Sequence, residues 1–236
     1  MRTSDPISFF VNNLSLFGSK TVAHLQLSFA AIGVALLLSI PLGVWLGHIH
    51  RGSFFAINVS NIGRALPSLA VISIGIGILG IGTLNVVVAL VILAGPVMMT
   101  NAYVAVDGVD PDAVQAARAM GMTPLQVLWR VELPLAMPLI FAGIRTATVY
   151  VVATATLATF AGGGGLGDIV VNEPSYGTGG VIAGSLTITV LTFAIDGLLA
   201  LVQYGVTPLP LRTAGLRSRS ESVVTAGAKQ ANPGAI

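Results

Sequence analysis

The residues of this chain that could do chemistry are few, and most fail on spacing. The glycine pattern G-x-G-x-x-G occurs twice, at Gly75, Gly77 and Gly80 and again at Gly162, Gly164 and Gly167. A dinucleotide site needs a strand before that pattern, a helix after it and an acidic residue about 20 positions on, and neither context qualifies. The segment Gly18–Thr21 (GSKT) lacks the glycine directly before Lys20 that a phosphate cradle requires. His24, His48 and His50 do not have the spacing of a metal site, and without cysteine there are no disulfides or thiolate ligands. With no G-x-S-x-G elbow, no H-E-x-x-H helix and no intramembrane carboxylate pair, an enzyme is not expected. What remains is one basic and one acidic residue deep in apolar sequence, Arg145 and Asp196, and a polar interruption from Asp110 to Pro134.

The surrounding elements explain why so little is polar. Hydrophobic residues make up 54% of the 236 positions and charged residues 8%, against roughly 25% charged in soluble domains. Such a chain cannot coat a surface for water and belongs in a bilayer. The net charge of +2, with no concentrated basic stripe, excludes a nucleic-acid partner. Five segments have about the 20 apolar residues a crossing needs: Leu25–Leu46, Leu66–Leu84, Val86–Val106, Pro138–Ala161 and Val181–Val206. Pro41, Pro67 and Pro96 inside them require neighbouring helices or a wet cavity to satisfy the freed backbone. The expected fold is all-α, with five transmembrane helices and a polar loop between the third and fourth. Residues 1–21 form an interfacial segment, 22–207 the membrane domain, and 208–236 a disordered basic tail.

Basic residues set the orientation. Arg51, Arg64, Arg118, Arg130, Arg212, Arg217, Arg219 and Lys229 fall on one side, and Arg2 and Lys20 on the other. The loop and the C-terminus are therefore expected in the cytoplasm, and the N-terminus outside.

Within the interruption, Asp110 suits an N-cap, Pro111 the first helical position, and Asp112 the positive helix end. Gly121 suits a left-handed terminus, and Thr123, Pro124 and Gln126 read as a capping box with proline at its first turn. Two short helices follow from this, the second stopped at Pro134. Ala113, Ala116, Ala117 and Met120 share a shallow face, opposite Asp112, Gln115 and Arg118. Alanines give lipid little apolar area but let another protein approach closely, so the face reads as a knob for a cytoplasmic partner.

These residues carry a resemblance. QAARAMGMTPLQVLWRVELP is similar to the EAA loop of bacterial ABC-importer permeases of MetI-like fold, which has E-A-A, three residues, Gly, nine residues and I-x-L-P. Gln115, Ala116, Ala117, Gly121, Val131, Leu133 and Pro134 match, with Gln115 in place of the usual glutamate. HLQLSF, IPLG, LPSLA and GIRTATV followed by GGGGLGDIV resemble the osmoprotectant subfamily, which imports glycine betaine, carnitine, choline or proline-like solutes. The likeness covers Val22 to Val206.

The resemblance implies a bacterial cell-membrane permease with no cofactor of its own. ATP and Mg would sit on a partner ATPase dimer, beside a second permease subunit and an external solute-binding protein. Gln115, Ala116, Ala117, Arg118, Gly121 and Met122 would couple the permease to that ATPase. Other readings are a permease for another small solute such as an amino acid, a secondary transporter, or a channel.

Arg145 and Asp196 each lie about ten residues from the loop side of their spans and are expected to pair at one depth. Tyr103 and Tyr150 are candidates on a solute path, since aromatic faces attract quaternary ammonium groups. The glycine-rich connection after the fourth span, with Gly164, Gly165, Gly167 and Asp168, is a candidate external gate.

Overall fold

The computed structural model describes residues 5–206; the basic tail, 208–236, lies outside them. Among the described residues every regular element is helical, and four helical stretches are long and apolar enough to cross a membrane. Helix α1 is Pro6–Asn12, α2 Leu14–His48, α3 Ser53–Ala65, α4 Ser68–Leu79 and α5 Thr83–Asp107. Then come α6 Pro111–Ala119, α7 Pro124–Val127, α8 Leu133–Thr154, α9 Gly167–Val171 and α10 Glu173–Val206.

The bundle is organised around α2 and α5. Ala31, Ala35, Ser39, Gly43 and Gly47 recur every four residues on α2 and are all buried. With no hydrophobic force between helices in lipid, such small residues create contact by letting backbones come close. A β-carbon on Gly47 would stand 2.8 Å from the Tyr103 carbonyl oxygen and 2.9 Å from Val106 Cβ, both on α5. One on Gly95 of α5 would stand 2.9 Å from Ser39 Oγ. Helix α8 packs on the other side, and His24, fully buried on α2, has Nε2 2.9 Å from the Val152 carbonyl oxygen of α8.

Several sequence expectations need correction. The second span, Leu66–Leu84, is not one helix. Leu66 and Pro67 are extended, because proline disfavours helix at the preceding residue, and α4 ends at Gly80, where φ is +79°. Its 12 residues, about 18 Å long, are shorter than the roughly 30 Å hydrocarbon core. The preceding residues, read as a loop, form α3, and a Cβ on Gly63 would lie 2.7 Å from Pro96 at the middle of α5. The first span starts earlier than expected: the boundary placed at residue 21 falls inside the continuous α2.

Pro134 does not stop the second loop helix. Helix α7 runs through a π-helical turn, Leu128–Glu132, directly into α8, with the Leu133 amide donating to the Leu128 carbonyl. The widened turn just before Pro134 carries the chain past a residue that has no amide hydrogen to donate.

Arg145 of α8 and Asp196 of α10 are bonded to each other. Nε and Nη2 of the guanidinium donate to Oδ1 and Oδ2 at 2.5 and 2.6 Å, a two-pronged geometry only arginine provides. Gln203 donates from α10 to the Pro138 carbonyl at 3.1 Å, a second polar tie between the helices.

Two tests follow. Gly43→Leu drives a side chain into Ala102 and the Met99 carbonyl, and should cost at least about 1–3 kcal/mol, read as a lower Tm. Arg145→Asp or Asp196→Arg alone should lose the assembled protein from membranes, and the double exchange should restore it. Equal loss in the double variant would contradict pairing as the role of these two charges.

Candidate functional site

The interruption between α5 and α8 is built by its caps. The Asp110 carboxylate accepts from the Asp112 amide at 2.9 Å, starting α6. At the other end Gly121 takes φ +82°, its amide donates to the Arg118 carbonyl at 2.9 Å, and the Met122 amide donates to the Ala117 carbonyl at 3.3 Å. This is the Schellman arrangement, and Met122 packs against the buried cluster that holds Ala117. Helix α7 opens with a reciprocal box: the Thr123 amide donates to Gln126 Oε1 at 2.9 Å, and the Gln126 amide to Thr123 Oγ1 at 3.4 Å. No atom lies within 4 Å of a β-carbon placed on Gly121, so backbone sign rather than space demands glycine there.

The loop does not hang free of the bundle. Val114, Ala117, Val127 and Leu128 are buried with Ala102, Val106, Ala136 and Ile140 of α5 and α8. The expected alanine face is therefore divided: Ala117 is 1% exposed and turned into its own protein, whereas Ala116 and Met120 are open, with Met120 75% exposed. Gln115, Arg118 and Gly121 are also open. Leu125 and Trp129, absent from the sequence-based reading, are 62% and 65% exposed. The outer surface thus presents three large apolar side chains among polar ones, on elements fixed by caps and core. An amphipathic pattern tells which residues differ, but only the packing of α6 against α7 and the π-turn tells which face is inward.

The root of the loop holds a pair that sequence spacing could not reveal. Glu132 is buried at the end of the π-turn, and its Oε2 lies 2.6 Å from Nδ1 of His48, the last residue of α2. His50, at φ +50°, places Nδ1 2.8 Å from Asp107 Oδ1 at the end of α5. The Asp107 carboxylate also accepts from the Tyr103 hydroxyl at 3.3 Å.

Tyr103 and Tyr150 are not brought together. Tyr103 is 4% exposed, packed with Met99 against Leu46 and Val59 near the loop end. Tyr150 is exposed on α8 and lines a cavity of about 220 Å³ with Gly63, Leu93, Val97 and Thr146.

At the opposite end, the glycine-rich connection is folded. After a 3-10 turn, Ala155–Ala161, Gly162, Gly164 and Gly165 take positive φ and lead into α9. The Asp168 carboxylate accepts from Lys20 of α2 and from Thr159. A Cβ on Gly165 would lie 3.2 Å from His24, and one on Gly167 would overlap the Thr156 backbone. Leu166 and Ile169 are buried with Phe17 of α2 and Ala183 of α10.

Comparison with known proteins places this architecture. The family described as the binding-protein-dependent transport system inner membrane component matches residues 39–207. The choline transport system permease protein OpuBB of Bacillus subtilis is 38% identical over 194 residues, 80% of this chain and 88% of its own length. The glycine betaine/carnitine/choline transport system permease protein OpuCB of the same organism is 37% identical over 82% of this chain and 89% of its own. The carnitine transport permease protein OpuCB of Listeria monocytogenes is 34% identical over 88% and 96%. Among solved structures, the MetNI methionine ABC transporter in an inward-facing conformation superposes with a TM-score of 0.72 at 22% identity, over 83% of this chain and 98% of that one. A fold of this kind, matched along nearly its whole membrane portion, makes the chain a member of the family of binding-protein-dependent transport system inner membrane components.

Proposed function

We propose that this chain is the permease subunit of an ATP-driven importer for quaternary-ammonium osmoprotectants, of the choline, glycine betaine and carnitine group. The observation that carries the reading is similarity over 80 to 88% of the chain, at 34 to 38% identity, to permeases named for those three solutes. The capped loop with its open apolar patch supports the same reading from geometry.

In this reading the chain crosses the membrane five times, with α3 and α4 together making one crossing broken at Pro67. The loop and tail face the cytoplasm, in keeping with seven basic residues on that side, Arg64 now falling within the broken crossing, against two on the other. ATP and Mg belong to a partner ATPase dimer, which grips Met120, Leu125 and Trp129 together with Gln115, Ala116 and Arg118. Closure of that dimer on ATP moves the loop, and the loop moves the helices rooted in it, opening a path to the outside shared with a second permease subunit. A solute-binding protein delivers its cargo at the external end, where α9 and the glycine connection form the gate. Tyr150, open on α8, is the better placed of the two tyrosines to meet a quaternary ammonium group.

The complete complex in liposomes, with ATP and the ATPase sites on one side and loaded binding protein on the other, should show ATP-dependent uptake of labelled choline, glycine betaine or carnitine, and none of methionine or histidine. Uptake of amino acids alone would contradict the substrate class. Gly121→Val puts a branched residue at positive φ, at about 1–2 kcal/mol of strain, and should lower solute moved per ATP by about tenfold. Gln115→Ala removes one exposed polar contact and should lower it by no more than about threefold.

A further inference from the structure

Glu132 is a carboxylate where an apolar residue would be expected. It is 1% exposed, flanked by the buried cluster that seats the loop, and its Oε1 meets no donor among the described residues. Burying such a group is costly without good hydrogen bonding, and hydrophobic replacement of buried polar pairs is often neutral or stabilising. Stability alone therefore does not account for it. What a hydrogen bond supplies and apolar packing does not is direction: two side chains held at one distance and angle, where greasy surfaces can slide. The 2.6 Å contact to His48 joins the root of the loop to the end of α2, two points 84 residues apart in sequence. His48 is itself largely enclosed, with 10% of its side chain exposed, so water is a poor competitor for the bond. The neighbouring His50–Asp107 bond differs, since its side chains are 50% and 37% exposed and it links α2 only to α5.

We propose that Glu132 and His48 are positioning residues that form a strut, through which movement of the loop is transmitted to α2. Because α2 lies against α5 along its small-residue stripe, a push at His48 shifts both helices as one body. The strut rests on the reading of the loop as the ATPase contact and adds to it the element that receives the motion. The 2.6 Å contact needs an oxygen at position 132 facing Nδ1 of His48, rather than a charge.

The test is the number of solute molecules moved per ATP hydrolysed by the complete transporter in liposomes. His48→Ala and Glu132→Ala should each lower that ratio about fivefold while the ATPase subunit still co-purifies, and the double variant should fall no further than the worse single one. Glu132→Gln, which keeps an acceptor oxygen, should retain most of the ratio. Since the chain has no cysteine, His48→Cys with Glu132→Cys offers a control within one sample. The reduced pair should couple poorly, and bridging it with a short thiol-reactive linker should restore coupling. An unchanged ratio in assembled alanine variants, or no recovery on bridging, overturns the strut. Loss of the ATPase subunit on changing Trp129, with the ratio unchanged by His48→Ala, would leave the loop reading intact and refute the strut alone.

Discussion

Close approach of α2 to α5 is the constraint on which the rest of the structure depends. Along α2, Ala31, Ala35, Ser39, Gly43 and Gly47 remove side chain from every contact, so the two backbones meet where larger residues would hold them apart. A seam of this kind tolerates no sliding, because displacement by one residue replaces a glycine with Leu42, Val44, Leu46 or His48. The pair therefore behaves as a rigid post, with α3 against one side of α5 and α8 against both helices.

Both ends of that post are fastened with polar chemistry. At one end Lys20 holds Asp168, and through it α9 and the glycine connection. At the other, His48 and His50 reach Glu132 and Asp107. Between them the one ion pair among the described residues is Arg145–Asp196, whose two-pronged bond secures α10 to α8. Charge is thus spent where helices end or must be tied across lipid. A chain with 8% charged residues has little to spare for anything else.

Local signals were legible in the sequence wherever their cause was local. The caps at Asp110 and Thr123 and the left-handed Gly121 are all found in place, because each depends on residues within a few positions. Arg145 and Asp196 stand out in the sequence as lone charges in apolar segments, and the structure bonds them to each other. Expectations failed where the third dimension decides. Ser60, Asn61 and Arg64 lower the hydropathy of α3 and hid a helix that packs on Pro96. Pro134 looked like a stop only because a π-turn leaves no mark in periodicity. The glycines at 162–167 were legible only as a candidate gate; the close fit of Gly165 against His24 and of Gly167 against Thr156 leaves no mark in the sequence. The two histidine–carboxylate bonds, which span 84 and 57 residues, had no sequence signal beyond a polar residue in an apolar stretch.

The central proposal is that the chain receives the work of a partner's ATP through the surface carrying Met120, Leu125 and Trp129. Because this chain has no cysteine, Met120→Cys takes one spin label on it, and pulsed dipolar spectroscopy can read its distance to a second label on the facing loop of whichever permease subunit pairs with it in the complete complex. The account predicts that this distance shortens when ATP binds and lengthens again after hydrolysis. A distance that stays constant while the same sample hydrolyses ATP and imports solute would contradict it.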